Sequence, residues 1–423
     1  MADAYIIDAV RTPRGIGKVG KGALAHLHPQ HLAKTVLEAI RDRNDLDTSL
    51  VDDIIWATST QVGKQGTDLG RMAALDAGYD VRASGMTLDR FCGSGITSVA
   101  LAAGQVMSGL EDCVIAGGTE MMSYTASIAD PKVPPMLDAG NLSLRDKHPQ
   151  SQQGVCADAI ATMEGIDRDA LDDLALTSQR NAARAVEEGR FDRSLVPVHN
   201  PDGSLALDRE EFPRPQTTKE GLGGLKAVFE MWKGIPTDEA GTTYGELIER
   251  KYPELEGGWS HVHHAGNSSG VVDGAAALLL ASGEFAEANE LTPRARIVAA
   301  VNVGDCPTLM LNAPVPAAQK ALERAGLSKD DIDVWEINEA FAVVAEKFVR
   351  DLDLDRSKVN VNGGAMALGH PIGATGSILI GTALDELERQ AESGEGGGRY
   401  ALITMCAAGG MAPAIIIERV GAA

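Results

Sequence analysis

Aromatic residues are scarce in this chain, with 4 Trp, 6 Tyr and 7 Phe among 423 residues. A reader of carbohydrate rings or nucleic-acid bases needs stacking surfaces, and there is little here to build them from. Positive charge is also short: 38 Lys and Arg stand against 60 Asp and Glu, a formal net charge of −22. That balance argues against a nucleic-acid partner, because binding phosphates needs clustered cations. No apolar run reaches the roughly 18 residues of a transmembrane segment, and no leader pattern precedes the strand-like Tyr5–Val10. Cysteines are few and odd in number: Cys92, Cys113, Cys156, Cys306 and Cys406, with no Cys-x-x-Cys pair. Neither a disulfide framework nor a zinc site follows from them, and free thiols in a reducing, cytoplasmic compartment are expected. His261, His263 and His264 lack a carboxylate or cysteine at ligand spacing, so no metal is expected there either.

What the chain does have is glycine, alanine and an alternation of short strands and amphipathic helices. Strands are expected at Tyr5–Val10, Asp53–Ala57, Met86–Leu88 and Cys113–Ala116, with helices at Leu32–Ile40, Leu69–Ala77 and Ile96–Met107. The fold class is therefore α/β, in two or three domain-sized units. From about Thr119 to Gly258 the pattern gives way to prolines, charged helices and irregular turns, including a strong amphipathic helix over Arg168–Glu188. Such an excursion reads as an insertion over the active face. A fully buried strand is expected at Gly274–Ala281, and a second alternating set begins at Arg296–Val303.

The second set echoes the first. Asp52–Trp56 returns loosely as Asp331–Trp335, and the same offset of 279 residues carries Cys92 onto Pro371. Both positions lie in glycine-rich turns that open a helix. The offset is too long for a solenoid and points to a duplicated half.

Cys92 precedes Gly93, Ser94 and Gly95, after which Ile96, Val99, Ala100, Ala103 and Met107 mark one face of a helix. The first N–H groups of a helix have no partner, and its positive end faces the sulfur. That placement predicts a thiol lowered from about 8.5 toward neutrality, a nucleophile; an inert buried cysteine is the plain alternative. His370, before Pro371, sits near another helix start, opposite Cys92 if the halves are related by a pseudo-twofold axis. A Cys–His pair is a standard way to activate a thiol, although a lone histidine is more often packed at a turn. Cys406 ends a buried strand before a small-residue turn, where a thiol can carry a proton. Asn338 follows a strand and opens a helix, so it is either a helix cap or an amide holding a water or an oxyanion.

Four stretches, Phe91–Gly95, Asn338–Phe341, Gly369–Pro371 and Cys406 before its glycine turn, resemble the thiolase family in their order along nearly the whole chain. Val10–Pro13, Gly117–Met122 and Ala265–Gly270 agree with it. The resemblance implies a thiolase fold: two similar βαβ-rich halves in five layers (αβαβα) with an inserted loop domain. The implied boundaries are 1–118, 119–258, 259–289 and 290–423. It implies cleavage of a 3-ketoacyl-CoA, with coenzyme A as co-substrate and no permanently bound cofactor. By position, Cys92 is the nucleophile, His370 its partner, Cys406 the proton donor and Asn338 the holder of a water. The backbone N–H groups of Cys92 and Ala408 form an oxyanion hole, and Ser269 and Arg214 contact coenzyme A. Ala408 stands where many members have glycine, which bears on the fine geometry of that hole.

The turn Cys406–Gly410 looks most like the thiolase subunits of fatty-acid β-oxidation complexes. The family resemblance implies a homodimer or homotetramer, and the turn alone adds assembly with a hydratase/dehydrogenase subunit as an expectation. Competing readings are a biosynthetic acetoacetyl-CoA thiolase and a non-catalytic acyl-CoA-binding subunit; the joint presence of Cys92, His370 and Cys406 disfavours the latter. A ketoacyl synthase is disfavoured because its second position is usually histidine.

Overall fold

The protein is described from a computed structural model covering residues 2–130, 135–394 and 397–421. The first half supplies strands β1 (Ala4–Arg11), β2 (Asp53–Ala57), β3 (Met86–Leu88), β4 (Cys113–Met121) and β5 (Val272–Ser282). The second supplies β6 (Ala295–Gly304), β7 (Val334–Ile337), β8 (Tyr400–Thr404) and β9 (Met411–Arg419). With the short strand Gly15–Ile16 beside β5, they form one hydrogen-bonded sheet in the order β7-β8-β9-β6-β1-β5-β4-β2-β3.

That order is a duplication. In the first half, β1 runs antiparallel to β5, β5 antiparallel to β4, and β4 parallel to β2. In the second, β6 runs antiparallel to β9, β9 antiparallel to β8, and β8 parallel to β7. Within the sheet, among the described residues, the halves pair where β1 meets β6, at Tyr5–Arg296 and Ile6–Ala295. Trp56 and Trp335, the pair linked by the sequence echo, occupy the corresponding strands β2 and β7.

The helices that matter are α1 (Pro29–Arg43), α2 (Ser94–Ser108), α3 (Arg168–Glu187), α4 (Pro314–Ala325), α5 (Ala342–Leu352) and α6 (Ile372–Ser393). Leu32, Val36 and Ile40 of α1 pack on Ile7, Ile54 and Leu279, covering the outer face of the first half. Ala317 and Phe348 of α4 and α5 cover Trp335, Leu402 and Ile416 on the outer face of the second. Between the halves lie α2 and α6, whose Ile96, Val99, Ile380 and Leu384 meet Ile6 and Val114 from one side and Val334 and Ile403 from the other. Apolar side chains on both faces explain why β5 reads as a continuous apolar run although it is antiparallel to its neighbours. The result is helix, sheet, helix, sheet, helix.

The central helices meet backbone to backbone. A Cβ at Gly95 would stand 2.8 Å from the Gly376 nitrogen, and one at Gly376 would collide with the nitrogen of Ile96. Ser377 Oγ donates to the Gly95 carbonyl at 3.2 Å. Glycine is needed on both sides for this approach.

The sequence places the start of the insertion after residue 118; β4 runs on to Met121 before the chain departs. Over its described residues the excursion is more ordered than its composition suggests. Val155, Ile160, Leu171, Tyr244 and Leu247 join the apolar cluster of the second half. Glu210 fastens it to β1: its carboxylate meets Arg11 at 2.6 Å and Arg14 at 2.7 Å. Burial works against that charge, but the two guanidiniums win and hold the carboxyl at about 2. Among the described residues no helix is long and apolar enough to cross a membrane.

Gly376→Val should lower stability by about 1–3 kcal/mol or more through overpacking at the helix crossing. Gly104→Ala, in α2 where a Cβ meets nothing within 4 Å, should stabilise by about 0.4–1 kcal/mol. Calorimetric melting of both variants checks the pair; a tolerated valine at 376 would contradict the close approach.

Candidate active site

Cys92 lies between the end of β3 and the start of α2. The chain turns through Phe91, which adopts a left-handed φ of 50°, a conformation costly for a residue with a Cβ. Ser94 holds that turn: its hydroxyl accepts from Arg90 N–H at 2.6 Å and donates to the Phe91 carbonyl at 2.7 Å. Asp89 accepts from Phe91 N–H at 2.6 Å. The cysteine that results is 6% exposed.

The expected activation of Cys92 is not what the structure gives. Burial pushes its thiol up to about 12, and the nearby Glu120 and Asp89 carboxylates push the same way. A helix terminus is worth roughly 0.3–1 kcal/mol to a nearby charge, up to about 2 in favourable geometry. A rise from 9 to about 12 corresponds to roughly 4 kcal/mol. Desolvation wins, and the resting group is a neutral thiol.

His370 is equally buried and shifted the other way. Burial, aided by the charge of Arg14, lowers it to about 4, so the resting imidazole is neutral. Its tautomer follows from Thr375. That hydroxyl donates to the Pro371 carbonyl at 2.9 Å, the usual back-bond of a helical threonine, and lies 2.5 Å from His370 Nδ1. With its proton committed to Pro371, Thr375 Oγ1 accepts from Nδ1–H. The lone pair is left on Nε2, which is buried with no partner among the described residues. Gly369, at φ 91°, presses against Val272 where a Cβ would clash, and fixes the approach of the histidine. His370 N–H donates to the Gly270 carbonyl at 2.9 Å.

Cys406 and Asn338 leave the ends of the adjacent parallel strands β8 and β7, where Asn338 N–H donates to the Thr404 carbonyl at 3.2 Å. Both amide atoms of Asn338 are buried and unpartnered among the described residues. Cys406 is buried, and burial pushes its thiol well up. The turn after Cys406 is closed by Ala407 N–H to Met411 O at 2.7 Å. It abuts the Cys92 loop, for a Cβ at Gly93 would lie 3.4 Å from Ala407 Cβ and 2.8 Å from Pro413 Cδ. Among the described residues, the Ala408 N–H donates to no backbone carbonyl.

Ser269 is held beside the segment that carries Asn338, and Arg214 follows Phe212, which packs on Gly270. Ser269 N–H donates to the Ala340 carbonyl at 2.9 Å, beside Asn338. Arg214 is exposed, with its guanidinium 5.7 Å from the Phe212 ring centroid, and Phe212 fills the space over Gly270.

Three supporting residues carry no role in the sequence reading. Thr375, five residues after His370, sets the imidazole tautomer; its spacing of four from Pro371 on a helix is the signal that could have found it. Glu120 is buried on β4 and accepts from Gly373 N–H at 3.0 Å, Ser59 N–H at 2.8 Å and Gln65 Nε2 at 2.7 Å. It thereby ties the start of α6 to the first half beside Cys92. Glu339 accepts from Ser178 Oγ at 2.7 Å, Asn360 Nδ2 at 2.9 Å and Met366 N–H at 3.1 Å, bracing the segment that carries Asn338. The partners of these two carboxylates lie far away in sequence.

The low affinity of folded His370 for a proton has a consequence for acid stability. On acidification the unfolded imidazole, near 6.5, takes up a proton before the folded one, near 4. The stability contributed by His370 is therefore full above pH 6.5 and is lost as pH falls toward 4, by roughly 3 kcal/mol. Denaturant unfolding at pH 7, 6 and 5 measures this loss, and His370→Asn should remove that part of the slope. Identical slopes in the two proteins would contradict a buried neutral imidazole.

Comparison with known proteins identifies the family of the chain and of its fold. The family model for the thiolase N-terminal domain matches residues 4–242, and that for the C-terminal domain matches residues 291–419. The chain is 40% identical to the 3-oxoadipyl-CoA/3-oxo-5,6-dehydrosuberyl-CoA thiolase of Escherichia coli, over 99% of this chain and 100% of that one. Its fold superposes on human mitochondrial 3-ketoacyl-CoA thiolase with a TM-score of 0.82 at 32% identity, covering 99% of each chain. It superposes on the acetyl-CoA acetyltransferase of Bacillus anthracis with a TM-score of 0.80, also at 32% identity and 99% of each. With both domain models matched in order and relatives aligned end to end, the chain belongs to the thiolase family of acyltransferases.

Proposed function

We propose that this protein is a 3-ketoacyl-CoA thiolase of fatty-acid β-oxidation, using Cys92 as nucleophile, His370 as its base and Cys406 as the second acid–base group. The observation that carries the reading is the open Nε2 of His370, its tautomer held by Thr375, on a turn whose helix crosses that of Cys92 backbone to backbone at Gly95 and Gly376. As Cys92 Sγ attacks the 3-keto carbon of the substrate, its proton passes to His370 Nε2. The alkoxide rests on the N–H groups of Cys92 and Ala408, and alanine donates as well as glycine does. The bond between C2 and C3 breaks, leaving an acyl thioester on Cys92 and the enolate of acetyl-CoA. His370, with a water held by Asn338, supports the enolate oxygen while its carbon takes the Cys406 proton. The thiol of free coenzyme A then loses its proton to the Cys406 thiolate and attacks the thioester. Cys92 leaves and regains its proton from His370, so protons and electron pairs balance over the cycle. Ser269 lies along the path of the coenzyme arm, and exposed Arg214 supplies local positive charge for its phosphates in an otherwise acidic chain.

The assignment to β-oxidation rests on the Cys406–Gly410 turn. A second reading, a biosynthetic acetoacetyl-CoA thiolase, draws on the likeness to an acetyl-CoA acetyltransferase. A dicarboxylic substrate, as the E. coli relative's name describes, is a further outcome of the same assay. A homo-oligomer fits the edge strand β3, whose outer side has no partner strand among the described residues and which presents Met86 at 40% exposure. The β-oxidation reading also extends to assembly with a hydratase/dehydrogenase subunit in the cytoplasm.

Incubation with a 3-ketoacyl-CoA in the absence of free coenzyme A should leave the acyl mass on the peptide carrying Cys92. Cys92→Ala should abolish both label and thiolysis, and Cys406→Ala should slow turnover by about 10²–10⁴. Thiolysis that survives Cys92→Ala would overturn the mechanism. Rates on long-chain, four-carbon and 3-oxoadipyl thioesters decide the substrate, and preference for either of the last two would overturn the fatty-acid reading. Native mass measurement should give a dimer or tetramer; a monomer would count against the edge-strand argument.

A further inference from the structure

A second histidine stands close to this site with a ring nitrogen unaccounted for. Asp158, fully buried in the inserted helix Gln153–Met163, collects four hydrogen bonds from one short stretch. His263 Nδ1 lies 2.7 Å and His261 Nδ1 3.0 Å from its oxygens, and the N–H groups of His263 and Val262 donate at 3.1 and 3.2 Å. A carboxylate only accepts, so the proton facing Asp158 is on Nδ1, and in that tautomer the lone pair is on Nε2. That Nε2 is buried in a side chain with 0% exposure and has no partner among the described residues.

Its surroundings belong to the same wall as Ser269. The His263 ring stands edge-on to Phe341, 5.8 Å between centroids, and Phe341 stands edge-on to Phe229 at 5.6 Å. Val228 N–H donates to the His263 carbonyl at 3.0 Å. Ser268, whose hydroxyl is also buried and unpartnered, bridges backbone to backbone with Phe341, three residues from Asn338. A buried acceptor left open beside an apolar ring pair is costly unless a ligand fills it. The ligand must bring a donor. In the reaction proposed above, the acyl chain brings none, whereas the pantetheine arm of coenzyme A carries amide N–H groups.

We infer that His263 Nε2 accepts a hydrogen bond from an amide N–H of the pantetheine arm, and that Asp158 is the positioning residue that fixes the tautomer required. The inference depends on the reading of coenzyme A as the acceptor thiol. It makes the stretch His261–Ser269 a binding element for the arm, separate from the reacting groups at Cys92.

The test varies the acceptor thiol at a saturating 3-ketoacyl-CoA concentration. His263→Phe should raise KM for coenzyme A roughly three- to tenfold, the worth of one neutral hydrogen bond, with kcat within about twofold. With 2-mercaptoethanol, an acceptor without an amide, the same variant should match wild type. His263→Gln, which restores an acceptor atom, should recover part of the loss and covers the case in which the phenylalanine variant does not fold. An unchanged KM for coenzyme A, or an equal penalty with 2-mercaptoethanol, would overturn the assignment. Absence of thiolysis in the wild-type protein would instead overturn the functional reading beneath it.

Discussion

Everything at this site depends on the backbone contact between two helix starts. Gly95 of α2 and Gly376 of α6 leave no room for a side chain between them, and Ser377 closes the crossing on the Gly95 carbonyl. Because each helix belongs to one duplicated half, the crossing brings the loop of Cys92 and the turn of His370 to the same end of the central layer. Glu120 reinforces it from the first half by taking a hydrogen bond from the first turn of α6. Two sheet halves joined over only two residue pairs would not by themselves set side chains to the precision that chemistry needs.

The same crossing buries the reacting groups, and burial decides their charge. Cys92 goes up and His370 goes down, each because desolvation penalises its charged form. A thiol and a neutral imidazole hold no separated charge at rest. In the proposed mechanism the proton moves only when substrate supplies an oxyanion for the N–H groups of Cys92 and Ala408 to receive, which would match the site to the reacting state rather than to the empty one. Thr375 makes the direction of that transfer unambiguous. Asp158 does for His263 what Thr375 does for His370: a group of fixed donor or acceptor character chooses which ring nitrogen stays open.

Much of this was legible in the sequence. Strand β2 matches its expected bounds, β3 does too, and the echo between Trp56 and Trp335 lands on corresponding strands of the two halves. Period and turn chemistry are local, and the sequence carries them directly. What was not legible is what long-range burial does. A helix start beside Cys92 was visible, but the weight of desolvation against the dipole was not, and the expected ionised sulfur is a neutral one. Glu120, Glu339 and Asp158 are ordinary acids until the fold sets donors from distant segments around them. The insertion reads as irregular because its apolar positions complete the core of the second half rather than one of its own.

The central claim is that Cys92 and His370 are both uncharged at rest. Ultraviolet thiolate absorbance of the native protein, titrated in parallel with Cys92→Ala, tests it directly. The two proteins should show no difference in thiolate signal at pH 7, with the Cys92 contribution emerging only in strongly alkaline solution. A Cys92-dependent thiolate signal already present at pH 7 would contradict the account and restore a preformed ion pair.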